Sequence, residues 1–254
     1  MARAYGVAPA PLASEAALAL GGLRADTANL VVACRRIVER HPDVGQLWWL
    51  CARLLVADDP SLLAWELADR LGDDAVADVL TRELPVDATV VSIGNPTVVA
   101  DALVRRDDVR VCCVDGRFGA ADLVRRLDRN DIECEPVAAE AVGRAIAAAD
   151  AVLIEASAAS ARRVLAPIGS QVVAAVAQSV GTPVWLVAAT GTRLPAPYVD
   201  EIARRSLGDH CALDDVPLEL IDVVVSDLGK SPRSPGALRA DCPFAPELLR
   251  PGVT

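Results

Sequence analysis

No apolar run in this chain reaches the roughly 18 residues that a membrane-spanning helix needs, because charged residues interrupt every apolar stretch. Residues Met1 to Gly22 are rich in Ala, Pro and Leu but lack the basic start and clean apolar segment of a secretory signal. A soluble cytoplasmic protein with no membrane contact is expected. A basic patch is missing too: 35 acids face 25 bases, giving a formal net charge of -10 and a pI near 4.7. Acids are scattered through every segment, which disfavours direct DNA or RNA binding. Lysine occurs only at Lys230, a compositional bias without functional weight.

Two histidines, His41 and His210, leave few members for a His-based triad or a multi-His metal site. The seven cysteines are Cys34, Cys51, Cys112, Cys113, Cys134, Cys211 and Cys242, and no C-x-x-C occurs among them. Zinc ribbons and thioredoxin-type centres are thereby excluded, and the thiols read as small apolar core residues. No G-x-G-x-x-G follows a strand and no Walker A sequence exists, so dinucleotide and P-loop chemistry are excluded as well. Neither a metal nor a cofactor is expected.

What the chain does have is apolar content, 53% of 254 residues, enough for a substantial core. Its first third reads as helical. Asp26 or Thr27 starts a helix in which Leu30, Val31, Cys34, Ile37 and Val38 recur at spacings of three and four, and His41-Pro42 ends it. An apolar stretch follows from Val44 to Ala57. Asp59-Pro60-Ser61 then opens a helix carrying Leu62, Leu63, Trp65, Leu67 and Leu71, and a fourth spans Asp73 to Leu84. Three of the four tryptophans lie here, and they read as core of a helical bundle. From Pro85 short β-branched runs alternate with helical patterns: Thr89 to Ile93, Arg110 to Val114, Ile132 to Val137, Ala151 to Ile154 and Pro183 to Ala188. Helices are expected over Thr97–Arg106, Ala120–Asn130, Ala139–Ala149 and Ile168–Val180. Such alternation indicates βαβ units around a parallel sheet with helices on both faces. The expected fold class is α/β, with a helical N-terminal domain (1–84) before a Rossmann-like domain (85–254).

Ligands of open parallel sheets collect beyond the carboxyl ends of the strands. Four loops occupy that rim: Ser92–Pro96, Asp115–Gly119, Glu155–Gly169 and Ala189–Leu194. In them, Gly94 and Asn95 offer amides before a helix start, Arg117 offers a bidentate cation near Asp115, and Gly169-Ser170 offers a second helix start. Thr190, Thr192 and Arg193 add two hydroxyls and a cation. Glu155 is the acid–base candidate. Glu133 and Glu135 share one face of a strand and read as a solvated edge.

From about Thr89 to Gly229 the chain resembles the eIF2B α/β/δ-like family, whose relatives include methylthioribose-1-phosphate isomerase and ribose-1,5-bisphosphate isomerase. The resemblance lies in Ala151-Val-Leu-Ile-Glu-Ala-Ser-Ala-Ala-Ser160, in Ile168-Gly-Ser-Gln and the small-residue helix running on to Gly181-Thr-Pro, and in Val216-Pro-Leu-Glu-Leu-Ile-Asp-Val-Val-Val-Ser-Asp-Leu-Gly229. Asp115-Gly-Arg117 stands where the family has Glu-Thr-Arg-Pro. The isomerases' cysteine falls on Gly94, while the following Asn95 matches. Their aspartate falls on Ser157, the glycine two residues before it on Glu155, and their Asn-Lys pair on Ala166-Pro167. Lacking the thiol and the carboxylate, the chain has no evident agent for aldose–ketose proton transfer. The resemblance implies a non-catalytic eIF2B-like homodimer binding a phosphorylated sugar or nucleotide, a protein partner, or both. Ligand contacts would come from Gly94, Asn95, Asp115, Arg117, Ser157, Gly169 and Ser170, and the dimer contact would lie near Leu218–Val225. The alternative is a divergent sugar-phosphate isomerase with Glu155 as base.

Overall fold

The computed structural model describes residues 9–22, 27–115, 120–207 and 212–250. Five helices come first: α1 (Pro9–Gly21), α2 (Thr27–Arg40), α3 (Gly45–Leu55), α4 (Pro60–Gly72) and α5 (Ala75–Glu83). Asp59 caps α4 by accepting the Leu62 N–H at 3.0 Å, with Pro60 in the first turn, where its missing donor costs nothing. Asp26, the other expected cap, lies outside the described residues. Strands and helices then alternate: β1 (Thr89–Ile93), α6 (Thr97–Leu103), β2 (Arg110–Val114), α7 (Ala121–Asp128), β3 (Glu133–Val137), α8 (Val142–Ala147) and β4 (Ala151–Glu155). Beyond β4 come β5 (Ala158–Ser160), β6 (Arg163–Pro167), α9 (Ser170–Val180), β7 (Val184–Val187), α10 (Ala196–Ser206), β8 (Leu213–Val216), β9 (Val223–Ser226) and β10 (Gly229–Pro232). Among the described residues no helix is long and apolar enough to cross a membrane.

The main sheet has the order β10-β9-β7-β4-β1-β2-β3. Its first six strands in chain order pair in parallel, and β10 joins antiparallel to β9. The period of two decides which layer each side chain enters. Val90, Val111, Cys113, Leu153 and Val187 face α5, α6 and α7, while Val91, Ile93, Cys112, Val152, Ile154 and Leu186 face α8 and α9. With both faces covered, these strands read as continuous apolar runs. The chain is therefore a doubly wound α/β protein, as expected.

Two expectations need correction. Glu155–Gly169 is not one open loop: β5 and β6 form an antiparallel pair, joined by β8 into a second, three-stranded sheet. Those strands were hidden by small residues, Ala158-Ala159-Ser160, which carry little β signal. Trp65 is not core either. It is 57% exposed, whereas Trp48 and Trp49 are fully buried. The helical core made by α1 to α4 also encloses Ala158, Leu165, Tyr198, Val199, Ile202 and Leu213, so the helical layer closes over the small sheet and α10. α5 packs instead under the main sheet, through Val76, Val79, Leu80 and Leu84. The cores thus cross the Leu84–Pro85 junction rather than dividing there.

Candidate functional site

β1 lies between β4 and β2, and the chain winds outward from it in both directions. The crevice beyond the ends of β1 and β4 is therefore the switch point at which doubly wound sheets take their ligands. Gly94 makes the turn there, with φ +69, a left-handed conformation that glycine adopts without cost. Its N–H donates to the Val114 carbonyl at 3.1 Å. The helix that follows, α6, begins after Pro96, which has no side-chain acceptor to cap it. Glu155, at the end of β4, supplies the cap: the N–H groups of Thr97 and Val99 donate to its Oε1 at 3.2 Å and Oε2 at 3.0 Å. Burial pushes this carboxyl up to about 7, against the pull of the Val99 and Thr97 amides and with a further push from the charge of Asp74.

The same substitution recurs around the rim. α9 begins at Gly169, φ +96 and again without a side chain to cap with. There Asp214 of β8 accepts the N–H groups of Gly169 at 2.8 Å and Gln171 at 3.0 Å. Ahead of α7, Asp115 accepts the Ala120 N–H at 2.7 Å. In the loop after β7, the Thr190 N–H and hydroxyl donate to Asp74 at 2.7 and 2.9 Å, while Asp74 also caps α5 through the Val76 N–H at 3.0 Å. Burial raises Asp74, opposed by these donors. Helix N-termini and turn amides are ready anion sites. In this protein each of these four already holds a carboxylate of its own chain.

The remaining rim residues are accounted for individually. Ser157 sits beneath α3, whose first residue, Gly45, approaches so closely that a methyl carbon there would fall 2.2 Å from the Ser157 carbonyl oxygen. Ser170 is fully buried and its hydroxyl has no partner. Asn95 is exposed and borders an open cleft of about 460 Å³ with Thr97, Asp122, Arg126, Arg129 and Asn130. In that cleft Arg126 is bound by Asp101, and Asp122 by Arg125. Arg117 lies outside the described residues, as do His210 and Cys211. The described cysteines are free thiols, four of them buried, and no cluster of metal-ligating side chains occurs among the described residues. Glu133 and Glu135 stand on the edge strand β3, with Glu133 paired to Arg110 at 2.6 Å.

Arg193, expected to offer a cation to the rim, is 3% exposed and bound to Asp227, with Asp241 at 3.7 Å. Burial raises Asp241, opposed by Arg193 and Arg53. Asp74, Asp214, Asp227 and Asp241 were all missed as rim residues. Apart from the Asp74 cap on α5, no local pattern marks them, because the rim contacts they make are to backbone or cations distant in sequence.

No family model and no curated protein matches this chain in sequence. Among solved structures it is similar to eIF2B beta from Chaetomium thermophilum, with a TM-score of 0.72 at 16% identity over 91% of this chain and 85% of that one. It is also similar to the translation initiation factor eIF-2B of Pyrococcus horikoshii OT3, with a TM-score of 0.68 at 17% identity over 87% and 89%. The eIF-2B delta subunit of A. fulgidus gives a TM-score of 0.61 at 17% identity over 93% and 88%. The fold is that of the eIF2B beta and delta subunits.

Proposed function

We propose that this chain is a non-catalytic eIF2B-like protein that works by assembling with protein partners, a second copy of itself included. The observation that carries this reading is the occupation of the switch crevice by Glu155: the amides that an anionic substrate would use already hold a carboxylate. Above pH 7, where this carboxyl is ionised, placing a phosphate beside it would set like charges together in a partly desolvated crevice, and below it the side chain still occupies the two amides. The surface supports assembly. α9 contains no charged residue, and Gln171, Val172, Ala175, Gln178, Ser179 and Val180 are exposed on it, although a quarter of the chain is charged. The Leu218–Leu220 turn packs beside that helix. A uniform uncharged face of this kind has the composition of a homodimer contact. A similar solved structure is a tetrameric eIF2B-beta2-delta2 complex from C. thermophilum, so this fold is used in assemblies.

Sedimentation at micromolar concentration should give a dimer that Val172→Asp converts to monomer. Melting against a panel of sugar phosphates and nucleotides should show no shift. A monomeric wild type together with a ligand-dependent shift of several degrees would overturn the reading. One observation favours an isomerase instead: a carboxyl held near 7 suits a general base. Turnover of ribose-1,5-bisphosphate or methylthioribose-1-phosphate that Glu155→Gln abolishes would establish that alternative.

A further inference from the structure

Trp65 carries an observation that the rim does not use. Three of the four tryptophans are at most 5% exposed, but Trp65 on α4 is 57% exposed and Leu62, one turn earlier, 60%. α1 lies antiparallel against this helix. The Ser14 hydroxyl donates to the Ala68 carbonyl at 3.1 Å, and Gly21 meets Ala64 and the Trp65 indole. Spacing of three and four puts Leu18 on the stripe between Ser14 and Gly21, so its exposed side chain (41%) extends the apolar patch beside Trp65. Contiguous exposed apolar surface of this kind, unlike scattered single residues, marks an interaction site.

Among the described residues, the exposed acids beside the patch outnumber its bases. Asp58, Asp59, Glu66 and Asp69 are exposed, and none forms an ion pair with the described residues. Arg70, the one base of α4, has its guanidinium 5.8 Å from the Trp49 ring, engaged away from these acids. Apolar anchors at i and i+3, flanked by carboxylates that have no cation among the described residues, on a convex helix face, suit neither a small molecule nor an acidic surface. A second copy docking patch to patch would bring the same four acids against each other. We infer that the outer face of α4, with Leu18 of α1, docks a basic amphipathic helix of another protein. Its apolar side would cover Trp65 and Leu62, and its Lys or Arg flanks would meet the acids. The inference concerns a surface apart from the rim and from α9, so it stands or falls separately from the proposed function.

The test uses the full chain and an 18-residue Leu/Lys amphipathic helical peptide carrying a fluorescent label. Anisotropy should show saturable binding, and Trp65 emission should shift to shorter wavelength as the ring leaves water. A scrambled peptide of equal charge, which cannot present an apolar face, should bind at least tenfold more weakly. Trp65→Ala and Leu62→Ser should each weaken binding at least tenfold. Glu66→Lys with Asp69→Lys should do the same at low salt. Val86→Ser, at an exposed apolar residue elsewhere, should leave binding unchanged. Both apolar substitutions are on exposed side chains, and circular dichroism of each variant checks that it folds. Equal binding of the scrambled peptide, or wild-type affinity in Trp65→Ala and Leu62→Ser, would overturn the inference. So would sedimentation showing that Trp65→Ala alone dissociates a self-assembled species, since the patch would then be a contact between copies.

Discussion

If the rim's anion positions are filled by internal carboxylates, removing one should convert a structural contact into an anion site. Asp214→Ala is the cleanest case. The wild-type carboxylate accepts the N–H groups of Gly169 and Gln171 at 2.8 and 3.0 Å, and the Gly169 cap has no acceptor of its own. Losing an N-cap acceptor costs about 1 kcal/mol, and hydrogen bonds to a charged group are worth about 1.5–3 kcal/mol each. Asp214 is only half-buried, so water takes over part of what is lost, and a net loss of about 2 kcal/mol is expected. For a chain of this size that lowers Tm by roughly 4–8 °C.

The diagnostic step is rescue. Sulfate at ten times its Kd for the vacated amides would return about 1.4 kcal/mol. Sulfate also stabilises proteins generally by exclusion from their surface, so the quantity to read is the difference between variant and wild type across a sulfate titration in differential scanning calorimetry. Asp214→Ala should gain several degrees more than wild type, with saturation. Parallel titration curves for the two proteins, or a loss below about 0.5 kcal/mol in the absence of sulfate, would refute the idea that Asp214 stands in for an anion.

For Glu155, a carboxyl raised to about 7 in the fold from 4.5 binds its proton more tightly folded than unfolded. It therefore contributes stability that is complete below pH 4.5 and is lost as pH rises through 7. The span corresponds to about 3 kcal/mol; urea denaturation from pH 5 to 8 should show Glu155→Gln gaining on wild type by up to that amount, and an unchanged difference would contradict it. Gly45→Ala should fold poorly, losing about 3 kcal/mol or more, because its methyl would meet the Ser157 carbonyl at 2.2 Å; a melting temperature within a degree of wild type would show that α3 can retreat. Arg193→Met should destabilise by about 3 kcal/mol, the low end for breaking a buried pair, since both Asp227 and Asp241 keep some solvent, Asp241 the less of the two; chemical denaturation at pH 7 reads this, and a cost under about 1 kcal/mol would mean that the cluster holds water instead.

Sequence patterns identified the elements whose signal is local. The β-branched runs at Thr89–Ile93 and Arg110–Val114 became strands with the expected bounds, because a doubly covered strand must be apolar at every position. The Asp59-Pro60-Ser61 start was legible for the same reason, since cap and first turn are adjacent in sequence. β5 and β6 were not, because Ala and Ser satisfy a strand only through its neighbours. Trp65 was misread because the helical period places Leu62 and Trp65 together without saying that nothing covers them. At the rim, Gly94, Asn95 and Gly169 were found by their turn chemistry. Glu155 was singled out as a base rather than as the partner of Thr97, 58 residues away, and Asp214, 45 residues from Gly169, was not found.

That separation bears on how departures from a family pattern should be read. In the resemblance to the isomerases, Glu155 stands at a glycine and Ser157 at an aspartate, which by itself looks like the loss of a catalytic group. In the fold the two changes have opposite consequences. Ser157 removes a carboxylate from beneath α3, whereas Glu155 adds one facing the start of α6. A glycine at 155 would leave the Thr97 and Val99 amides without this partner, aimed into the switch crevice and available to an incoming anion. The glutamate closes that position with a carboxyl of the chain's own, as Asp214 does for α9 and Asp74 for the loop after β7. With Asp115 ahead of α7, four donor groups of the rim hold carboxylates of this chain. A departure from a family pattern is therefore weighed by what the new side chain meets: position 157 loses a carboxylate, and position 155 gains one that the amides at the start of α6 hold.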